Sequence, residues 1–254
     1  MSAACFSLGP GRSWRRRIPG FWSTKKQGMA KDRVDGPLGR GQVCLMDERV
    51  IISDDCVAEG ATWLVAQDMR WGRALEVTGP LPLRLRPDGF DQLLSAILSQ
   101  QVSVASARAI MARMVAAGMT TESAIRGADE DSLRALGLSR QKATYALALA
   151  RAEIDYAALR DMPTDDVIRK LVSVKGIGVW TAEIYAMFSL GRADVFAPGD
   201  LALQEGAKLL FDLPERPKER PLRAMAEAWS PWRSVAARIL WAYYHVCKQR
   251  EGIA

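Results

Sequence analysis

The sequence is poor in the residues on which most hydrolytic and metal chemistry depends. Its 254 residues include one histidine, His245, so a histidine-rich zinc site, a Ser-His-Asp triad or a His acid/base pair would have to be built around a single imidazole. The four cysteines, Cys5, Cys44, Cys56 and Cys247, are scattered without C-x-x-C spacing. That spacing argues against a zinc site, an iron–sulfur cluster or a disulfide framework, and it fits a reducing compartment. No apolar run approaches the roughly 20 residues that a membrane span needs. No convincing pair of alternating strands is present either. What remains is ordinary globular composition, 49% hydrophobic and 25% charged, too apolar for a disordered chain.

The charge is unevenly placed. Residues 1–45 carry nine basic groups, Arg12, Arg15, Arg16, Arg17, Lys25, Lys26, Lys31, Arg33 and Arg40, against Asp32 and Asp35. This net +7 leaves residues 46–254 at −1 out of a total of +6. The bulk charge alone therefore does not argue for nucleic-acid binding, which has to rest on where particular groups sit. Rich in Gly, Ser and Arg and without hydrophobic period, residues 1–45 read as a flexible, disordered basic tail. Three roles stay open for it: a phosphate-binding arm, an Arg-rich targeting peptide, or sequence upstream of a start at Met29 or Met46.

From Ser53 onward the period is helical. Ser53 with Asp54 and Asp55 opens a helix through about Val65, and Phe90, Leu93, Leu94, Ile97 and Leu98 form one apolar stripe. Further helices are expected over about Ala105–Ala117, from Ser139 to about Ala152, and from Thr164, with Asp165 and Asp166, through Val174. Ser230-Pro231-Trp232 reads as an N-cap with proline at the first helical position, opening a helix through about Lys248. Between these, Pro80 to Pro87 is extended, because proline fixes φ and restricts the residue before it. The expectation is nine to eleven helices in an all-α fold over residues 46–254.

One segment carries chemistry. A helix ends at Val174, Lys175-Gly176-Ile177-Gly178 turns the chain, and a second helix runs from about Val179 to Leu190. Each glycine can take φ > 0, and neither holds a ligand away with a Cβ. The unpaired amides at the start of the second helix lie at the positive end of its dipole and can grip a phosphate oxygen. A plain helix connection with a glycine cap is the alternative. A loop then ends at Asp200, just before the helical Leu201-Ala202-Leu203-Gln204. Asp200 reads either as an N-cap or as a carboxylate stabilising positive charge on a sugar. Asp194 ranks below it, since an ion pair with the neighbouring Arg192 accounts for it.

These stretches resemble a known family. Val174-Lys175-Gly176-Ile177-Gly178-Val179-Trp180-Thr181-Ala182, followed by Asp194-Val195-Phe196-Ala197-Pro198-Gly199-Asp200, is similar to the helix-hairpin-helix base-excision DNA glycosylases, and within them to the DNA-3-methyladenine glycosylase II branch. Ala96 to Ser103, Gly137 to Ala143, and Trp229 to Ala236 running on to Trp241 agree in order. The likeness spans about Leu81 to Tyr244.

The resemblance implies a two-lobed helical fold with its cleft between the lobes and the helix-hairpin-helix at about residues 164–190. Only the tail and one or two helices precede the matching stretch, so the compact, all-helical subset is expected. Asp200 takes the place of the family's essential aspartate. Trp180 and Trp241 take positions that present aromatic rings to an extruded base, and Tyr185 is a further pocket candidate. Lys175, Gly176, Ile177, Gly178 and Thr181 fall on the phosphate-binding hairpin. Gln100 and Gln101 fall on the segment that plugs the gap in the duplex, where some members use Leu at the position of Gln101. Lys142 is a further candidate phosphate contact.

Members that also cut the backbone place a lysine in the second hairpin helix, where this chain has Trp180 and Thr181, so a monofunctional enzyme is expected. Members with an iron–sulfur cluster need four closely spaced cysteines, and here only Cys247 lies in that region. The expectations are thus double-stranded DNA with damaged bases as partner, no metal, no cofactor, no membrane, a monomer, and a cytoplasmic or, in a eukaryote, nuclear location. Uracil, hypoxanthine or ethenoadducts as substrates, or a non-catalytic DNA-binding module, are the competing readings.

Overall fold

The computed structural model describes residues 48–251. The tail expected over residues 1–45, the candidate starts Met29 and Met46, and Cys5 and Cys44 lie outside the described residues. Ser53 precedes α1 (Asp54–Gln67), whose first-turn Asp54 and Asp55 suit the positive end of the helix dipole. Asp68 then caps α2 (Met69–Thr78) by accepting the Arg70 amide. The proline-bearing segment after it forms no helix, but its extended course is broken at Arg84, which takes a left-handed φ of +54, and the chain is pinned on either side of that residue. The Arg86 amide donates to the Phe188 carbonyl, and the Arg238 guanidinium to the Leu83 carbonyl.

In α3 (Phe90–Ser99) all five stripe residues are buried, each contributing about 1.5–3 kcal/mol of transfer free energy. Then come α4 (Val104–Ala116), capped by Ser103, α5 (Glu122–Arg126), α6 (Glu130–Ala135) and α7 (Arg140–Arg151), capped by Ser139. The short α8 (Ala158–Asp161) leads into α9 (Thr164–Val172) and α10 (Val179–Phe188), the expected hairpin pair. The chain closes with α11 (Leu201–Phe211), α12 (Glu219–Ala226), a 3-10 turn at Glu227–Trp229 and α13 (Arg233–Glu251).

Two hydrophobic clusters organise these helices. One gathers α1, α2, α11, α13 and the loop residues Ala193, Val195, Phe196 and Ala197, around Trp71, Trp229 and Trp232. The other gathers α3 to α9. Helix α10 serves both: Ala182 and Tyr185 belong to the second, Ala186, Met187 and Phe188 to the first. The two-lobed, all-helical expectation holds, and among the described residues the only β pairing is an isolated Val50–Arg192 bridge. No described helix is long and apolar enough to cross a membrane.

Three local expectations are corrected. Among the described residues there are thirteen α-helices rather than nine to eleven, because α5, α6 and α8 are too short to display a full hydrophobic period. Helix α9 opens at Thr164 as expected, with the Thr164 amide and hydroxyl both given to Glu48, but it ends at Val172 and not at Val174. Pro231 does not occupy the first turn of α13: the Ser230–Pro231 peptide is cis, Ser230 gives its hydroxyl to Asp194, and the helix starts at Arg233.

Candidate active site

The loop between α10 and α11 is almost wholly buried up to Pro198 and emerges at Gly199 and Asp200. Its course is fixed by the Gln204 amide group donating to the Pro198 carbonyl and the Asp200 amide donating to the Ala197 carbonyl. The Asp200 carboxylate is both things its sequence context allowed. As the N-cap of α11 its Oδ1 accepts the amides of Ala202 (2.9 Å) and Leu203 (3.1 Å). It also receives two indole N–H groups, Trp241 on Oδ1 at 3.1 Å and Trp180 on Oδ2 at 3.1 Å. Three donors saturate Oδ1, whereas Oδ2 takes one and keeps acceptor capacity free.

The two indoles come from different helices, Trp180 from the first turn of α10 and Trp241 from the middle of α13. Trp241 is half-buried and packs against Phe188, ring centroids 5.7 Å apart. Trp180 is 45% exposed, unusual for so large an apolar ring. It also lines a cavity of about 300 Å³ between α3 and α10, shared with Arg86, Gln92, Ser99, Gln100 and Tyr185. Tyr185 is buried in that wall, and its hydroxyl accepts the Gly89 amide at 2.9 Å. Burial pushes its phenol up to about 12, so it holds its proton at neutral pH.

The hairpin joins α9 to α10, with α9 carrying Asp165 and Asp166 in its first turn and Arg169 and Lys170 in its last, both favourable to its dipole. The two glycines prove unequal. Gly176 takes φ +100, and a Cβ there would sit 2.4–2.7 Å from the Tyr145 ring. Gly178 has an ordinary φ of −87 as the N-cap of α10, and a Cβ there would meet open space. The protein itself therefore explains Gly176 but not Gly178. Ile177 is buried, anchoring the turn, and Lys175 is exposed. Thr181, counted with the hairpin from sequence, turns its side chain inward to the cavity, while its amide stays in the open first turn.

The plug candidates also separate. The Gln100 side chain donates to the Gly176 carbonyl at 3.0 Å, which ties it to the hairpin. Gln101 is exposed in a left-handed conformation, φ +56, a strained placement for a residue with a side chain and one met at functional tips. Of the two, only Gln101 projects freely.

Two further expectations are corrected. Lys142 is buried, with its ammonium on the Leu98 carbonyl at 2.6 Å, so it caps the end of α3 and is not free for a phosphate. Asp194 is ion-paired as expected, but with Arg233 (2.6 Å) and not with Arg192, which runs inward to the carbonyls of Arg160 and Met162 and to Glu48. The sequence reading also missed Glu183 and Arg223, paired at 2.9 Å, and the arginines around Phe188; an isolated charge within a helical period carries no sign of its partner.

Comparison with known proteins places this geometry. A family model described as HhH-GPD superfamily base excision DNA repair protein matches residues 94–234. A putative DNA-3-methyladenine glycosylase, YfjP, of Bacillus subtilis is 30% identical over 173 residues, spanning 63% of this chain and 60% of that protein. The chain thus spans less than two thirds of that relative's length. The solved DNA-3-methyladenine glycosidase of Bacillus halodurans superposes with a TM-score of 0.68 at 34% identity, covering 75% of this chain and 91% of that one. A 3-methyladenine DNA glycosylase of Schizosaccharomyces pombe, solved in complex with abasic DNA, gives 0.62 at 29% identity over 72% of this chain and 95% of that one.

Proposed function

The chain belongs to the HhH-GPD superfamily of base excision DNA repair proteins, and from that premise we propose that it is a monofunctional DNA glycosylase hydrolysing the N-glycosidic bond of alkylated purines such as 3-methyladenine. The observation that carries this reading is the Asp200 carboxylate, one oxygen saturated and the other open, between two indoles of which one is exposed.

The sugar C1′ is inaccessible inside a base stack, so the nucleotide has to rotate out, at a cost of a few kcal/mol that is smaller for a damaged or poorly paired base. Gln101 enters the gap and offsets part of that cost. The open amides of Val179, Trp180 and Thr181 hold a backbone phosphate, with Gly178 allowing its close approach. A purine alkylated at N3 or N7 is already cationic, so it leaves without a general acid, which agrees with a site built without histidine. The indole faces attract such a base by about 0.5–2 kcal/mol each. As the bond breaks, positive charge builds on the sugar, and Oδ2 of Asp200 stabilises it and orients the attacking water. No lysine takes the place of a nucleophile in the second hairpin helix, so hydrolysis without strand cleavage is expected, by a monomer on one bent duplex.

Asp200→Asn tests this. Asparagine is as good an N-cap as aspartate, so the fold stays. Release of 3-methyladenine from alkylated duplex is expected to fall by about a hundredfold or more, while affinity for abasic duplex is kept. Release by the variant at the unmodified rate would overturn the reading, as would DNA binding without release by the unmodified protein. A borohydride-trapped covalent adduct would overturn the monofunctional assignment.

A further inference from the structure

Two guanidinium groups converge on Phe188. Arg86 gives its amide to the Phe188 carbonyl at 2.9 Å, and its guanidinium carbon lies 5.9 Å from the Phe188 ring centroid. Arg238 of α13, 1% exposed, lies 4.9 Å from the same ring, held by the carbonyls of Leu83 and Ser234. Neither is ion-paired with a carboxylate among the described residues. Burial, with Arg84 nearby, lowers Arg238 to about 10, so it remains a cation at neutral pH. Unpaired buried charge is costly, so Arg238 calls for an explanation, and so does the exposed Arg86 held against the same ring.

The surroundings supply one. Phe188 packs on Trp241, and Trp241 donates to Asp200. Arg86 lines the same cavity as Trp180, which also donates to Asp200. The site therefore has a cationic end at Arg86 and Arg238 and an anionic end at Asp200, with the indoles joining them.

We propose that Arg86 contacts the extruded base and stabilises it as a leaving group, most strongly where that base is a neutral purine. The proposal rests on the glycosylase reading above. When the bond between C1′ and the purine N9 breaks, both electrons stay with the base. A neutral purine such as hypoxanthine leaves as an anion, which the guanidinium stabilises directly. A purine already cationic leaves neutral: Arg86 repels it in the ground state, and the repulsion is relieved as positive charge moves to the sugar beside Asp200. In both cases water adds its hydroxyl to C1′. Its proton goes, through Asp200 or solvent, to the departing anion or to the medium.

The two lesion classes therefore respond differently, which an ordinary phosphate contact would not produce. For Arg86→Met, the single-turnover rate on a hypoxanthine duplex is expected to fall by about tenfold or more. The rate on a 3-methyladenine duplex is expected to change by less than about threefold, with tighter binding of the substrate. Affinity for abasic and undamaged duplex stays the same, and Arg86→Lys, which keeps the charge, retains most of the hypoxanthine rate. The proposal is overturned by an equal loss on both lesions, by an affinity loss shared with undamaged DNA, or by a wild-type protein that releases 3-methyladenine but not hypoxanthine. If the wild type releases neither base, it is the glycosylase reading that fails. Arg86 is exposed and outside both apolar clusters, and should the Met variant misfold, the Lys variant compared with Arg86→Gln poses the same question.

Discussion

Glu183 shows how far a single residue escapes a one-dimensional reading. It sits in α10 two residues beyond Thr181, 2% exposed, and meets Arg223 of α12 at 2.9 Å. Burial pushes its carboxyl up from its ordinary 4.5 to about 7, against the opposing pull of Arg223. An acid with a raised native pKa holds its proton in the folded protein over a range in which the unfolded chain has lost it. Its contribution is therefore complete below about pH 4.5 and is lost as the pH rises through about 7. Glu183→Gln removes that dependence. Relative to wild type, the variant is expected to gain on the order of 3 kcal/mol between pH 5 and pH 8, read from urea midpoints at the two values. Parallel pH profiles for the two proteins would show that the raised pKa does not exist. Asp200 is the opposite case, since its place at the end of a Gly/Pro-rich loop marked it in advance. What the sequence withheld there was that capping and display belong to one carboxylate, with different oxygens engaged.

At the scale of elements, long segments with a full apolar period were legible and short ones were not. The stripe of α3, the helix start at Ser139 and the α9–α10 hairpin were all readable, because each repeats a local physical signal over several turns or at a helix start. Helices α5, α6 and α8 span four to six residues and depend on tertiary packing, which leaves no periodic trace. The hairpin glycines looked equivalent in sequence and differ in conformation and surroundings. Gly176→Ala forces a Cβ into the Tyr145 ring and a side chain onto φ +100, so a stability loss of about 1–3 kcal/mol is expected, with the hairpin displaced. Gly178→Ser puts a favourable N-cap at an ordinary φ, so the melting temperature should hold. Its side chain occupies the space a phosphate needs, and affinity for abasic duplex should fall by about tenfold or more. A Gly178→Ser protein that binds as tightly as wild type would remove the hairpin amides from the interface.

For the whole molecule the question is how a body that is nearly neutral engages a polyanion. Residues 46–254 sum to −1, so no general field draws DNA in, and attraction has to come from local donors or from the nine basic groups of residues 1–45. The two sources differ in salt dependence. Helix-start amides carry no counterions to exchange, whereas each lysine or arginine that neutralises a phosphate steepens the fall of log K with log salt by about 0.9. Removing residues 1–45 is therefore expected to flatten that slope by about 0.9 for each of their cations that neutralises a phosphate. The single-turnover rate of base release at saturating protein should remain as it was, because Asp200, its indoles and the hairpin all lie beyond the cut. An unchanged slope would mean that residues 1–45 take no part in binding and would leave the short-range contacts of the hairpin and Gln101 to hold the duplex alone. A fall in the rate itself would instead mean that the residues before Met46 reach the chemistry, and the site would have to be redrawn to include them.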